Sequence, residues 1–272
     1  MRKLFSSADR ALAQRIEAAD AATGLAVAQS TARANPQLGA AAEPHLGGYA
    51  VFGGVGSPMT HAMGIGMSGP VDAAAFDRME EFFRSRGSAS LIDLCPLVDP
   101  TVLQLVMDRG YRIIELNNVL VREIDPNESF PEPPDHIRIE RVRPEQEALW
   151  TLIVTRGFLE KDDVPEEHLA MMSGASGMAD CFLAFVHGQP VGGAAAGVRK
   201  GVAGFYGDAT IVAARGRGVQ SRLIEHRLAH AARSGADLAV ASVIPGSASN
   251  RNYERCGFQL VYMRVNVMRE WG

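Results

Sequence analysis

The chain has 272 residues, of which 47% are hydrophobic and 21% charged, and a formal net charge of −4 at pH 7. This length accommodates two ordinary domains or one large one, and the composition is that of a globular protein. The slightly acidic balance indicates no basic surface for nucleic acid or for an anionic membrane, and no run of 18 apolar residues predicts a transmembrane span.

The cysteines and the N-terminus indicate a cellular compartment. Cys95, Cys181 and Cys256 are odd in number and scattered, and they form no C-x-x-C pair, which is typical of reduced thiols. Residues 1–20 contain no apolar signal-peptide core. We therefore expect a cytoplasmic protein that binds neither membrane nor nucleic acid.

The first half of the chain predicts alternating helices and strands. Residues 7–34 are rich in alanine and predict helix, with Ser7 as a cap and Gly24 dividing the stretch into two helices. Residues 48–66 contain short apolar runs broken by glycine and proline, which predicts a hairpin. Periodicity then predicts a helix from Val71 to Arg86, a strand from Leu91 to Leu94, a short helix from Pro100 to Arg109 and a strand from Tyr111 to Val121.

A proline-rich segment separates this half from the next. Four prolines lie between Asp125 and Asp135, and we assign residues 125–136 to a linker. The second half then predicts a strand over 137–142, helix over 144–156, an acidic helix and loop over 158–172, a hairpin over 181–198, a strand, loop and helix over 208–233, a strand over 238–243, a short helix over 247–255 and a last strand over 258–268.

The two halves resemble each other at a fixed offset. A shift of 147 residues aligns them without gaps from Ala62 onward, so that Gly110-Tyr111 falls on Gly257-Phe258. Identity is low, but predicted helix falls on helix and strand on strand. Such self-similarity favours a degenerate duplication, and the alternative is that any two α/β segments can be shifted into partial agreement.

The stretch from Asp208 to Leu223 carries the clearest chemical signal. Residues 209–212 suit a buried strand, Val219 begins a periodic helix, and Arg215-Gly216-Arg217-Gly218 lies between them. Glycines at such a junction let backbone N–H groups converge, and the helix N-terminus adds about half a positive charge. About three or four amides with one arginine suffice to hold a pyrophosphate without a metal. The alternative is an ordinary tight turn with two solvated arginines.

The segment from Arg215 to Gln220 lacks the Lys-Ser/Thr of a Walker loop and the three spaced glycines of a dinucleotide fingerprint. It resembles the acyl-CoA loop of the GCN5-related N-acetyltransferase (GNAT) family, Arg/Gln-x-x-Gly-x-Gly/Ala. Gln220 departs from that pattern, and Val212 stands where the family often has proline. The resemblance implies acetyl-CoA as the cofactor.

A second stretch, Ser249 to Phe258, looks like the family's Tyr-Glu-x-x-Gly-Phe sequence. The resemblance implies that Tyr253 either acts as the general acid that protonates the CoA thiolate, which a tyrosine with a pKa of about 10 can do at neutral pH, or simply donates a hydrogen bond to the sulfur. The alternative is a packed tyrosine whose hydroxyl is bonded nearby. Gly246 replaces the family's usual asparagine. The predicted cofactor-binding residues are Thr210, Ile211, Val212, Arg215, Gly216, Arg217, Gly218, Val219, Gln220, Ser221, Asn250 and Asn252.

The family polarises the thioester carbonyl with backbone N–H groups, here around Ile211 and Val212, as a small oxyanion hole. Asp208 lies on the strand face of Thr210 and is a candidate base, although a strand-end aspartate is an equal alternative. The acidic run over residues 160–167 attracts a cationic amine or is a solvated helix face. The histidines show no metal-ligand spacing, so no metal is expected.

The resemblance also implies the architecture. We predict an α/β (α+β) fold with two tandem GNAT-like domains, residues 1–124 and 137–272, each a mixed, mostly antiparallel sheet flanked by helices. Opposite the glycine-rich loop, the first half has Ser68-Gly69-Pro70-Val71, in which the arginine is missing and proline removes one amide donor. We therefore predict one cofactor site per chain, in the C-terminal half.

The functional prediction is an acetyl-CoA-dependent N-acetyltransferase. It transfers an acetyl group to the primary amine of an unidentified small molecule or peptide, directly in a ternary complex. Two alternatives stay open: a non-catalytic acyl-CoA-binding or regulatory protein, because Gln220, Val212 and Gly246 depart from the family pattern, and a transferase for a longer acyl group. A homodimer stays open as well.

Overall fold

The computed structural model describes residues 9–131, 133–172, 177 and 179–271. The described chain forms two compact units. The first unit holds residues 9–119 and 260–271, and the second unit holds the described residues from 120 to 259. This division differs from the predicted domains 1–124 and 137–272, because the last strand of the chain groups with the first half. Ser7, the predicted cap, lies outside the described residues.

The first unit is a mixed sheet with helices. In chain order its elements are α1 (Arg10–Ala34), β1 (Ala41–His45), β2 (Gly48–Phe52), β3 (His61–Met63), α2 (Ala73–Arg84), β4 (Ser90–Leu94), α3 (Pro100–Asp108), residues 112–119 of β5 (Arg112–Glu123) and residues 260–269 of β11 (Gln259–Arg269). The pairs β1–β2, β2–β3 and β4–β11 are antiparallel, and β3–β4 is parallel.

The second unit has the same mixed character. Its elements are the end of β5, β6 (Ile137–Arg141), α4 (Glu147–Leu159), α5 (Glu166–Met172), β7 (Asp180–Val186), β8 (Gln189–Arg199), β9 (Val202–Thr210), α6 (Val219–Arg233), β10 (Leu238–Val243) and α7 (Ala248–Arg255). The pairs β6–β7, β7–β8 and β8–β9 are antiparallel, whereas β9–β10 is parallel. The predicted fold class, with mixed and mostly antiparallel sheets flanked by helices, is confirmed.

Helix α1 is one continuous helix, so the predicted division at Gly24 is wrong. Asp9 caps it by accepting a hydrogen bond from the Leu12 N–H at 2.7 Å. A Cβ added at Gly24 would lie 2.6 Å from the Met63 sulfur. A side chain at Gly24 would displace the Met63 side chain, so glycine lets the helix pack closely on β3, and the packing of the helix outweighs the low helix propensity of glycine.

The element bounds follow the offset of 147 residues. Shifted by that amount, α2 falls on residues 220–231, inside α6, and β5 falls on residues 259–270, which β11 occupies almost completely. The parallel pair β3–β4 likewise corresponds to the parallel pair β9–β10. The closing strand β11 pairs with β4 in the first unit, a long-range pairing that no local pattern in the sequence encodes.

The core of the second unit lies between α6 and the sheet. Leu223, Ile224 and Leu228 of α6 pack with Phe182 and Phe205 of the strands, all at most 3% exposed. Burial of this apolar stripe fixes the N-terminus of α6 at the end of β9. Among the described residues, no helix is long and apolar enough to cross a membrane.

Candidate active site at the end of β9

A β-bulge at Gly207 prepares this region of the second unit. Gly207 has a φ of +66°, and the β8–β9 register shifts between Gly193 and Ala195. Phe205 and Asp208, three residues apart, therefore both reach the same α6 side chain, whereas regular alternation would separate them. The bulge thus turns the Asp208 carboxylate toward α6.

The parallel strands β9 and β10 leave an opening beyond the bulge. Their ladder runs from Val202–Leu238 to Phe205–Ala241 and ends there, although β9 continues to Thr210. Beyond this ladder, Tyr206, Ala209 and Thr210 pair with β8, and the described register with β10 does not include them. An opening at the carboxyl ends of parallel strands is where α/β sheets bind ligands.

The loop from Gly216 to Ser221 exposes a row of unsatisfied backbone amides. Gly216 and Gly218 have φ values of +75° and +79°, and α6 begins after Gly218 without any side-chain cap. Among the described residues, none accepts a hydrogen bond from these six consecutive N–H groups. With the helix dipole behind them, the amides offer hydrogen-bond donors that suit an anion of the size of a pyrophosphate.

In the turn before the loop, only one of the two predicted oxyanion donors has an available N–H. The Ile211 N–H donates to the Val191 carbonyl at 2.9 Å and so is not available to a ligand. The Val212 N–H has no acceptor in the described part of the chain, and its side chain is 54% exposed. Of the two predicted donors, therefore, only Val212 keeps a free amide.

Arg215 does not point along the row of amides. Its guanidinium donates to the Gly157 carbonyl at 3.0 Å, to the Thr210 carbonyl at 3.2 Å and to Glu160 at 2.6 Å. Gly157 lies against β9, since a Cβ added there would be 2.7 Å from the Ala209 Cβ. Arg215 thus fastens the C-terminal end of α4 to the end of β9, which is a different role from the predicted phosphate contact.

Arg217 is the arginine that remains for an anion. It is exposed, and it makes no ion pair or hydrogen bond with any described residue. Its position between the two positive-φ glycines places its backbone N–H in the same row of amides. Arg217 is therefore the arginine available for the predicted combination of amides and one arginine, and its contact with an anion stays a prediction.

Gln220, the departure from the family pattern, connects α6 to α7. Its amide nitrogen donates to the Ser249 hydroxyl at 2.8 Å, and its amide oxygen accepts from Asn252 at 2.7 Å. Asn252 is thereby occupied, and Asn250 is 5% exposed. Neither predicted asparagine presents a free, exposed amide in this arrangement.

Asp208, Arg227 and Tyr253 form a buried cluster. Arg227 and Tyr253 have no exposed surface, and the Asp208 side chain is 12% exposed. Arg227 is bidentate to Asp208, with one N–O distance of 3.1 Å, and it also donates to the Tyr253 hydroxyl at 3.2 Å. The Tyr253 hydroxyl in turn donates to Asp208 at 2.6 Å. Asp208 and Tyr253, which the sequence predicted separately as candidate catalytic residues, are in contact in the structure.

The cluster restricts what these groups do chemically. Burial, the largest influence, raises the pKa of Tyr253 well above its usual value; Arg227 lowers this pKa and Asp208 raises it. The proton of Tyr253 is bonded to Asp208, and both oxygens of Asp208 face Arg227. The geometry therefore favours a structural cluster over a free acid and a free base, and the assignments of Tyr253 and Asp208 as catalytic residues stay predictions.

Arg227 is the residue that the sequence analysis missed. It lies in the apolar stripe of α6, four residues after Leu223, where a charged side chain is out of place. It also donates to the Ala195 and Leu223 carbonyls at 3.1 and 3.2 Å and lies over the Phe205 ring. A charge at a core position of an amphipathic helix was the available signal.

The segment after α4 borders a cavity of about 510 Å³, lined among others by Lys161, Asp162, Asp163 and His168. Three carboxylates of the acidic run have partners: Glu160 with Arg215, Asp162 with Arg156, and Glu167 with His168 at 3.7 Å. Asp163 and Glu166 make no ion pair within the described ranges. No group of three or more His, Cys, Asp or Glu side chains in those ranges is arranged to hold a metal ion.

Comparison with known proteins bears on this site. Residues 140–258 match the sequence model of the acetyltransferase (GNAT) family. Among solved structures, a GCN5-related N-acetyltransferase from Kribbella flavida superposes with a TM-score of 0.65 at 18% identity, covering 89% of this chain and 96% of that one. No curated protein sequence matched the chain.

Two further structures share the fold. A GCN5-related N-acetyltransferase from Sphaerobacter thermophilus gives a TM-score of 0.56 at 20% identity over 72% of this chain and 67% of that one. A tandem GNAT protein from the clavulanic acid biosynthesis pathway gives 0.55 at 15% identity over 73% and 69%. The matched residues contain β9, the row of amides and α6, and we identify this part of the chain as a domain of the acetyltransferase (GNAT) family.

Proposed function

We propose that the second unit binds acetyl-CoA and transfers its acetyl group to the primary amine of an acceptor, directly in a ternary complex. One observation carries the proposal: the six N–H groups from Gly216 to Ser221 that meet no acceptor among the described residues. Buried or helix-terminal amides are normally satisfied, so a row left open at a helix N-terminus supports an anionic ligand.

The residues of the loop divide the work of binding. The amides of residues 216–221 and the Arg217 guanidinium neutralise a pyrophosphate, each charge-assisted hydrogen bond contributing about 1.5–3 kcal/mol. The Val212 N–H is the donor that remains for the thioester carbonyl oxygen. Acetyl-CoA, when bound, supplies the activated acyl group and a thiolate leaving group.

We assign no protein side chain as the general base, because the carboxylates near the end of β9 are paired with arginines. Asp208 is neutralised by Arg227, and Glu160 is paired with Arg215, which in turn is bonded to the end of β9. We therefore propose that the acceptor ammonium loses its proton to water before attack. The cavity next to Asp163 has negative charge to attract such an ammonium.

The first unit is, in this proposal, a degenerate copy of the second, which makes the chain a tandem protein. The correspondence of α2 with α6 and of β5 with β11 at the offset of 147 residues supports this. One of the similar structures is described as a tandem GNAT protein.

Calorimetry with acetyl-CoA tests the site. We expect one molecule bound per chain, and we expect Gly218→Pro to weaken binding by at least about 100-fold, because proline removes an amide and fixes φ near −65° where the loop needs +79°. Gly69→Ala, at a positive-φ glycine of the first unit, is the matched control and should leave binding unchanged. Two molecules per chain, or equal loss in both variants, would contradict the proposal.

Turnover separates the enzyme from its alternatives. CoA release from acetyl-CoA should rise when primary amines are added, and an amine screen at pH 8 covers small molecules and peptide N-termini. Tight binding with no amine-dependent release would indicate an acyl-CoA-binding or regulatory protein. Faster release from longer acyl-CoA donors would indicate a transferase for a longer acyl group.

A further inference from the structure

The first unit contains a cavity of about 420 Å³ that the acetyl-transfer site does not use. Its walls come from the β2–β3 loop and from strands β3, β4, β5 and β11, all within this unit. The volume lies in the range of small-molecule sites, about 300–1,000 Å³. Its lining combines four polar side chains with an apolar surface.

Asn266 is the polar group that most needs a ligand. It lies on β11 directly opposite Asp93 of β4, and its residue is 8% exposed. Its side-chain oxygen is buried and has no hydrogen-bond partner among the described residues. An unpaired buried acceptor is costly, and one that lines a cavity is satisfied when a ligand brings a donor.

The charges of the cavity favour a cation. His61 is hydrogen-bonded to Asp93 at 2.7 Å, and Glu115 contributes a second carboxylate. The lining contains two carboxylates and one imidazole, so its net charge is negative whether His61 is protonated or neutral. Arg264, whose charge also lowers the pKa of Asp93, is bonded to Glu17 and Asp20.

The rest of the lining is apolar. Met59, Met63, Leu91 and Ile114 cover the surface around the polar groups. Methionine side chains adapt to irregular ligands, and an apolar wall favours a hydrocarbon body. The combination calls for a molecule with one positive hydrogen-bond donor on an apolar stem.

We propose that this cavity of the first unit binds a small organic monocation, a primary ammonium on an apolar body. The ammonium donates to the Asn266 oxygen and faces Asp93 and Glu115, and the hydrocarbon part packs on Met59, Met63 and Leu91. The site is separate from the acetyl-CoA loop and binds its ligand without chemical change.

Methyl NMR of the full chain, labelled with ¹³C at the methionine methyl groups, tests the site with hexylamine as the probe. Hexylamine is an ammonium at pH 7, as a lysine side chain is. We expect the Met59 and Met63 signals to shift, while that of Met107, exposed on α3, stays. Hexanoate and hexanol are the matched anionic and neutral probes. Equal shifts with either of them would overturn the proposal, and so would the absence of shifts with hexylamine.

Three variants sharpen the test. Asn266→Leu should weaken hexylamine binding by about tenfold or more, since a charge-assisted hydrogen bond is lost. The same change should raise Tm by a few degrees, because a buried unpaired acceptor is removed. Glu115→Gln should weaken binding about two- to fivefold, and Glu81→Gln, an exposed carboxylate outside the cavity, should not. Unchanged binding in Asn266→Leu would exclude the site.

The Gly218→Pro variant separates this site from the acetyl-transfer site. We expect it to lose acetyl-CoA while hexylamine still shifts Met59 and Met63. If the shifts disappear in Gly218→Pro, the amine binds only where acetyl-CoA does, and the cavity is not an independent site.

Discussion

The helices α2 and α6 begin at equivalent places in the two halves but treat their backbone amides in opposite ways. At α2, Asp72 accepts from the Ala75 N–H at 2.7 Å, the Val71 N–H donates to the Thr101 hydroxyl at 2.8 Å, and Pro70 has no N–H. At α6, Gly218 provides no side chain, and residues 216–221 find no acceptor among the described residues. Amides at the start of α2 are thus satisfied by side chains of its own unit, which we call a closed helix start, whereas those at the start of α6 are left unsatisfied in the described part of the chain, which we call an open one.

This difference shows what an anion site requires of a chain. Satisfied amides stabilise a helix, and a carboxylate such as Asp72 at an N-terminus both caps the helix and repels an anion. Leaving the amides open lowers the stability of α6 but keeps the site ready for a phosphate. We propose that a duplication preserved the fold in both halves and the ligand site in only one of them.

A second comparison concerns the buried arginine of each unit. Arg227 of the second unit contacts one carboxylate, Asp208, and the hydroxyl of Tyr253. Arg264 of the first unit contacts two carboxylates, Glu17 and Asp20, and Tyr262 donates to Glu17 at 2.7 Å. Because a similar cluster occurs in the unit whose helix start is closed, the comparison favours a structural role for the cluster of the second unit, which the Tyr253→Phe variant below tests.

The largest predicted effect comes from removing the single carboxylate. Asp208→Ala leaves Arg227 buried and uncompensated, so we expect the second unit to lose about 3–5 kcal/mol of stability. Glu17→Ala should cost the first unit less, because Asp20 still faces Arg264. Urea unfolding in a Trp271→Phe background, where Trp150 alone reports on the second unit, measures the first value, and hydrogen exchange compares both units. A smaller loss for Asp208→Ala than for Glu17→Ala would break the comparison.

Much of this fold was predictable because local sequence patterns determine its helices and strands. Periodicity located α2, α3 and β10 within a few residues, and the glycines located the loop before α6. The continuity of α1 through Gly24 was not predictable, since it depends on contact with Met63. The pairing of β11 with β4 was not predictable either, because tertiary packing, and not a local sequence pattern, decides which strand β11 pairs with.

The candidate site was predictable as a place and less so as a set of contacts. The motif indicated which amides converge, since glycine conformation is a local property. It did not indicate that Arg215 would bind the end of α4 or that Gln220 would bridge to α7, because long side chains choose among partners that only the folded chain supplies. The burial of Tyr253 likewise depends on Arg227, which lies far away in sequence.

The two arginines of the loop offer the next largest effect. Arg217→Ala should weaken acetyl-CoA binding about tenfold with Tm unchanged, because Arg217 is exposed and has no bonded partner in the described part of the chain. Arg215→Ala should instead lower Tm by about 2–6 °C, since three hydrogen bonds to α4 and β9 are lost. Calorimetry and thermal melting of both variants test this division, and the reverse pattern would return the phosphate contact to Arg215.

Tyr253→Phe tests whether the cluster is structural. We expect a loss of about 1 kcal/mol of stability, because one hydroxyl leaves a network in which Asp208 and Arg227 remain paired. Amine-dependent turnover should change by no more than about threefold, as the buried hydroxyl does not act on the leaving thiolate. Steady-state kinetics of the folded variant decides the matter, for a fall in kcat of about 100-fold would establish Tyr253 as the general acid.

The smallest predicted effect is the pH dependence of the first unit. Burial on its own lowers the pKa of His61, but Asp93, with smaller contributions from the Pro58 carbonyl and Glu115, raises it above the usual value. The stability that protonated His61 contributes to the first unit is therefore fully present below the unfolded histidine pKa of about 6.5, and it is lost as pH rises through the folded pKa of His61. Burial raises the pKa of Asp93, but the neighbouring His61 lowers it by more, so the net shift is downward. The stability that Asp93 contributes is therefore lost only in acid, as pH falls through its folded pKa. The difference in Tm between the wild type and His61→Gln should accordingly narrow from pH 6 to pH 9, and a constant difference would show that the pair carries no charge.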